Sequence, residues 1–273
     1  MESSHLAAFY NAAPIILWVE DLVTKVYLDA LWEHDSRFQL YVGGGHEVLA
    51  AVVHQAQHSG RSHVYCLRDR DFGPTNRDRW NNPDIHAFAL DTFEVECFLL
   101  DPPALAECAV NTSGHDEDWI EQKLLEHARD LVWWMACRKV IAGLREARQI
   151  AFPKHPKPLN VRSRADAEQI LFDNDWVRTT VPSLGTRVDA TLLGHDLTRA
   201  HAHYTASLGR GTWSRDFSGK EIVNELVTRL FTKQRPRGNA AIQDLAKAVA
   251  HQQLRRECVP TELLELREAM LRR

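Results

Sequence analysis

The sequence predicts an α/β protein, with a mainly parallel sheet flanked by helices in its N-terminal part and a mostly α-helical C-terminal region. Two observations carry this. Up to Pro103, apolar runs of about five residues alternate with helical patterns, as they do where crossover helices join parallel strands. Beyond Pro103 strand signals thin out and helical periodicity dominates. The chain has 273 residues, of which 44% are hydrophobic, enough to bury a core and too varied for a disordered or fibrous protein. The expected division is an α/β domain over 1–105 and a helical domain over 106–273.

In order, Ile15 to Val19 ("IILWV") reads as a buried strand ending at Glu20, with a helix from Leu22 onward. Phe38 to Val42 is a second strand, closed by Gly43, Gly44 and Gly45, and Glu47 to Gln57 is a helix. His63 to Leu67 is a third strand that runs straight into Arg68, Asp69, Arg70 and Asp71. Ile85 to Leu90 is a fourth, followed by Asp91, Glu94 and Glu96 and the apolar "CFLL" that stops at Asp101. Ser113 and Asp116 have capping-box spacing ahead of one long helix to about Arg148, with Ile120, Leu124, Ala128, Leu131 and Met135 on one face. "PKHPKP" (153–158) reads as a stiff loop, and further helices are expected at 163–172, 189–207, 218–233, 239–254 and 260–271.

Composition excludes several classes. No apolar run approaches the roughly 20 residues of a bilayer helix, and the N-terminus has no signal pattern, so the expected location is the cytoplasm, away from membranes. Five cysteines form no CxxC pair and indicate neither a zinc ribbon nor a disulfide framework; they read as small reduced hydrophobes. His54 with His58, and His201 with His203, lack the partners of a zinc site. Gly219-Lys220 resembles the end of a P-loop, but Ser214 stands at the first glycine position and Glu221 where Ser or Thr is needed, so ATP hydrolysis is not expected. The net charge of −4 is unevenly spread: residues 1–105 hold 7 Lys/Arg against 15 Asp/Glu, and the remainder 26 against 22. Seven of the basic residues lie between Arg210 and Arg237 (Arg210, Arg215, Lys220, Arg229, Lys233, Arg235 and Arg237). An acidic half that binds cations beside a half that meets phosphates is one reading, and a mixed solvated surface is the other.

The main signal is the position of the carboxylates. Ligands of parallel sheets sit beyond the carboxyl ends of strands, and three such ends carry Glu20, then Asp69 and Asp71, then Asp91, Glu94 and Glu96. Carboxylates crowded in this way repel one another and are compensated by a hard divalent cation. Strand ends also carry Asp for turns and caps, so DxD alone does not decide between the two.

The order of the segments "LWVEDLVTKVYLDAL", "YVGGGHEV", "VYCLRDRDFG" and "LDTFEVECFLLDP" over residues 15–102 resembles the toprim domain of topoisomerases, primases and OLD-family nucleases. It is most similar to a branch that includes the toprim subunit of the PARIS anti-phage system, in which a later "F-x-GK" recurs, matched here by Phe217, Gly219 and Lys220. The resemblance implies a metal-dependent endonuclease acting on RNA, with tRNA in view, or on DNA as a defence effector. Glu20 would be general acid or base and metal ligand. Asp69 and Asp71 would hold Mg²⁺ or Mn²⁺, Glu96 a second ion or the orientation of the first, and Lys220 would lie near the phosphate, so that the helical region returns to the site near 217–220. An ABC-type ATPase sensor is the implied partner, and a homodimer is compatible with it. The chain departs from the family at Asp21, where Gly is usual, and at Thr24, where an acidic residue is expected. A non-catalytic regulatory or interaction subunit of an ATPase complex is the alternative, and a topoisomerase or primase would need domains for which the chain has little room.

Overall fold

The computed structural model describes residues 9–146, 156–173, 190–230 and 239–273. Strands β1 (Ile15–Val19), β2 (Phe38–Val42), β3 (Val64–Arg68) and β4 (Ala87–Ala89) form a parallel sheet in the order β2-β1-β3-β4. The strands lie where the apolar runs predicted them. The fourth is three residues long where Ile85 to Leu90 was expected, and most of "CFLL" lies in a 3-10 helix (Val95–Leu99). From β1 the chain steps outward one way to β2 and then crosses to the other side for β3 and β4. The gap between the carboxyl ends of β1 and β3 is therefore the topological switch point of the sheet.

Alternation along the strands divides the core. Ile16 and Trp18 of β1, with Val64 and Cys66 of β3, face helix α2 (His46–His58) through Leu49, Val53 and Ala56. Ile15, Leu17 and Val19, with Tyr65 and Leu67, face α1 (Leu22–Leu31) and join the larger core. Gly43 lets β2 turn tightly into α2, since a β-carbon there would lie 2.6 Å from Leu49 Cδ2.

The C-terminal region is helical as expected: α3 (Pro102–Glu107), α4 (Glu117–Asp130), α5 (Val132–Glu146), α6 (Arg164–Asp173), α7 (Ala190–Arg210), α8 (Trp213–Asp216), α9 (Gly219–Leu230), α10 (Asn239–Arg255) and α11 (Thr261–Leu271). Two expectations are corrected. The single long helix is two, broken at Leu131, where no Pro or Gly marks a stop and burial of Leu131, Val132, Trp134 and Met135 sets the path. Its N-cap is Asp116, whose carboxylate accepts from the Trp119 N–H at 2.9 Å, so the Ser113 capping box is not formed. Half of "PKHPKP", residues 153–155, lies outside the described residues.

Helix α10 packs along α1, and one buried side chain ties the layers together. Tyr27 OH donates to Gln253 Oε1 at 2.6 Å, while Gln253 Nε2 donates to the Phe98 carbonyl at 2.9 Å and to Asp101 Oδ2 at 3.0 Å. The larger core runs without interruption across Leu105, from Leu17 and Phe88 to Leu226, Leu245 and Leu266. Four of the five cysteines are buried free thiols, and Cys258 is exposed. Among the described residues no helix is long and apolar enough to cross a membrane.

Candidate functional site

Glu20 directly follows β1 and is partly buried at the switch point. The next residue, Asp21, caps α1: its carboxylate Oδ1 accepts from the Thr24 N–H at 2.8 Å, and Thr24 is 2% exposed within the core. A side chain at position 24 therefore packs under α1.

Beyond β3, "DRDF" forms a tight turn in which the Gly73 N–H donates to the Arg70 carbonyl at 2.8 Å. Asp69 points inward, its Oδ1 accepting from the Val95 N–H at 3.1 Å, while its own N–H donates to Glu20 Oε1 at 3.3 Å. Asp71 has φ 49°, a left-handed conformation that Asp tolerates better than most residues, and is exposed at the rim with its N–H on the Phe93 carbonyl at 2.8 Å.

The third set of carboxylates divides. Asp91 turns away, paired with Arg215 at 3.5 Å and Arg77 at 3.7 Å. Glu94 and Glu96 turn inward and are buried. Glu94 Oε1 accepts from Ser218 Oγ at 2.9 Å and from the Lys220 N–H at 2.5 Å, whereas buried Glu96 Oε1 has no hydrogen-bond partner among the described residues. The helical region thus does return near 217–220, and Gly219 is what permits it. Lys220 itself is exposed in the first turn of α9. Arg229 lies in α9 with its side chain undescribed, and Lys233, Arg235 and Arg237 lie outside the described residues.

The electrostatics follow from crowding in a low-dielectric cleft. Burial, helped by Asp71 and Asp21 and opposed by the Asp69 N–H and Arg68, pushes Glu20 up to about 7. Asp69 keeps some open surface, yet protein surrounds its carboxyl so closely that burial raises it well above the usual range, with Glu96, Glu94, Glu20 and Asp71 adding to the effect. Glu94 is raised by burial in spite of the Lys220 and Ser218 donors, and Glu96 by burial and by Glu94. Burial works against the Lys220 ammonium, but Glu96, Asp21, Glu94 and Asp69 outweigh it and hold Lys220 in its charged form.

No protein-family model matches the chain, and no curated protein matches it either.

Geometry brings together Glu20, Asp69, Asp71, Glu96 and Lys220, adds Glu94, and leaves Asp91 out. Of Glu94 and Glu96, the resemblance gave a role only to Glu96, and the structure turns Glu94 inward beside it. The Glu94-x-Glu96 spacing is the signal in the sequence, since residues two apart share a face of extended chain; here Glu94 is the N-cap and Glu96 the second residue of a 3-10 helix, and both are buried. Among the described residues no three His, Cys, Asp or Glu side chains are drawn together as ligands about one point. The donor set is nevertheless all oxygen, it is desolvated and mutually repelling, and it contains a buried carboxylate oxygen, Glu96 Oε1, with no hydrogen-bond partner among the described residues. These properties fit a hard divalent cation.

Proposed function

We propose that this protein is a metal-dependent endonuclease whose active site is the carboxylate cluster at the switch point. One observation carries the reading: Glu20, Asp69, Glu94 and Glu96 crowd the same cleft from three segments of the chain, and every one is pushed toward its protonated form. Structural carboxylates are ordinarily stabilised by their surroundings, so a cluster held at such electrostatic cost points to function.

Glu20, Asp69, Asp71 and Glu96, joined by Glu94, would hold Mg²⁺ or Mn²⁺. The bound cation supplies an activated water and charge stabilisation at the scissile phosphate. Glu20, with its pKa near neutrality, suits proton transfer as general acid or base. Lys220 keeps its charge beside the cluster and suits a phosphate oxygen. Glu94 holds the N-terminus of α9 and so positions Lys220.

The toprim resemblance over residues 15–102 points the same way. Its PARIS-like branch extends the proposal to an anti-phage effector acting in the cytoplasm on tRNA, restrained by an ABC-type ATPase. The test is incubation of tRNA, single-stranded DNA and duplex DNA with the protein and Mg²⁺ or Mn²⁺. Cleavage of one of them, lost in Asp69→Asn, supports the reading. The second reading, a regulatory or interaction subunit that keeps the fold without catalysis, rests on Thr24, which is buried where the resemblance expects an acidic residue. Intact nucleic acid under every condition, together with capture of an ATPase, would support that alternative.

A further inference from the structure

A group of cations lies against the carboxylate cluster, and the proposed cleavage chemistry does not use it. Phe72 directly follows Asp71, and the Arg138 guanidinium on α5 lies 5.3 Å from its ring centroid and 4.7 Å from that of Trp134. Arg138 also acts on the charge of Glu94, which places it at the edge of the cluster. The next residue, Lys139, is exposed, with its ammonium 5.8 Å from the Tyr204 ring on α7. Arg70, between the two aspartates of the turn, reaches toward α8, its Nη2 3.5 Å from both the Arg215 carbonyl and Asp216 Oδ1. The Nε atoms of Arg70 and Arg138 are buried with no hydrogen-bond partner among the described residues.

These cations are close enough to oppose one another. Behind burial, Arg70 and Arg199 lower the pKa of Lys139, and Lys139, Arg210 and Arg70 lower that of His203. Arg199 is paired with Asp196 at 2.6 Å; Asp216 faces the others, and Ser207 Oγ and Thr212 Oγ1 already donate to it at 2.8 and 3.0 Å. Glu221, the other carboxylate that Arg138 acts on, is itself raised by burial. Among the described residues neither Arg138 nor Lys139 forms an ion pair. A patch of like charge neutralised so incompletely within the fold attracts an anion, and its contact with the carboxylate cleft says which anion.

We propose that Arg70, Arg138 and Lys139 form a phosphate track that holds the substrate's sugar–phosphate backbone along α5 and α7 as it enters the carboxylate cleft. The track rests on the nuclease reading for the identity of its ligand. It differs from the Arg210–Arg237 stretch that the sequence picked out, because two of its three residues come from α5 and the third from the turn after β3.

The test is binding of a labelled single-stranded RNA and of a tRNA in EDTA, so that nothing is cut, measured across a salt series. Wild type should bind with an affinity that falls log-linearly with salt. Lys139→Gln should reduce the slope by about 0.7 on the single strand, and Arg138→Gln by a similar amount. Arg138 also packs on two rings, so exposed Lys139 carries the test if Arg138→Gln folds poorly. An unchanged slope and affinity in Lys139→Gln overturn the track, even if wild type cleaves with Mn²⁺ and the nuclease reading stands. The expected slope change without any cleavage leaves the track standing and removes the nuclease reading. No binding of either RNA by wild type overturns the track and turns the patch into a docking face for an acidic protein.

Discussion

Gly219 lies so close to Cys97 that a β-carbon on it would sit 2.4 Å from the Cys97 backbone nitrogen and 2.6 Å from the Glu96 carbonyl carbon. The obstacle is backbone, which has no rotamer to yield. This approach seats the first turn of α9 on the 3-10 helix and brings Ser218 Oγ and the Lys220 N–H onto Glu94. Gly219→Ala should therefore cost about 1–3 kcal/mol of stability through overpacking. It should also displace Glu94 and Lys220 and lower cleavage. Urea unfolding and a cleavage assay check this, and a variant equal to wild type in both would contradict the close packing of α9 on the 3-10 helix.

The carboxylate cluster makes stability depend on pH. Glu20 has an ordinary pKa of 4.5 and rises to about 7 in the folded chain, and Asp69, Glu94 and Glu96 shift in the same direction. Between those values the native state binds more protons than the unfolded state, so this contribution is full below about 4.5 and is lost as pH rises through about 7. Histidines with lowered pKa, such as His203, act in the opposite sense, so the comparison is made against Glu96→Gln. In the absence of metal the variant should gain on wild type in melting temperature from about pH 5 to about pH 8. Added Mn²⁺ should stabilise wild type more at the higher pH, where it competes with fewer protons.

Glu20→Gln keeps shape and removes both charge and basicity. Cleavage should fall by roughly 10²–10⁴-fold while RNA binding in EDTA persists. A variant that loses binding alone would make Glu20 a recognition residue.

Gln253 gives a prediction away from the site. Gln253→Leu fills a similar volume and strands the buried Tyr27 hydroxyl, along with acceptors at Phe98 and Asp101. It should cost roughly 1–3 kcal/mol for each buried group left unpaired. Thermal unfolding as one transition with a lower midpoint would support a sheet and C-terminal helices that share one core. Two separate transitions would contradict it.

Much of this was legible in the sequence for physical reasons that differ by element. The strands are short β-rich runs bounded by Gly, Asp and polar loops, and the late helices have strong periodicity, so local chemistry nearly suffices. The break at Leu131 was not legible, because no residue there disfavours helix and tertiary packing alone sets it. Glu20, Asp69 and Asp71 could be read because each sits at or just past a strand end. Glu94 could not, because its direction depends on a 3-10 turn and on Ser218 and Lys220, more than a hundred residues away. Asp21 and Thr24 are explained only by the capping of α1.

Binding of Mn²⁺ tests the central claim most directly, since it asks whether the carboxylate cluster is a metal centre before any substrate is chosen. Calorimetric titration near neutral pH, repeated in buffers of different ionisation enthalpy, measures affinity and proton release together. Wild type should bind saturably with net proton release, because carboxylates held near or above neutrality must give up protons to the cation. Both the binding and the proton release should be lost in Asp69→Asn and in Glu96→Gln. Binding that is absent in wild type, or equal in wild type and both variants, would contradict a metal centre at this cluster.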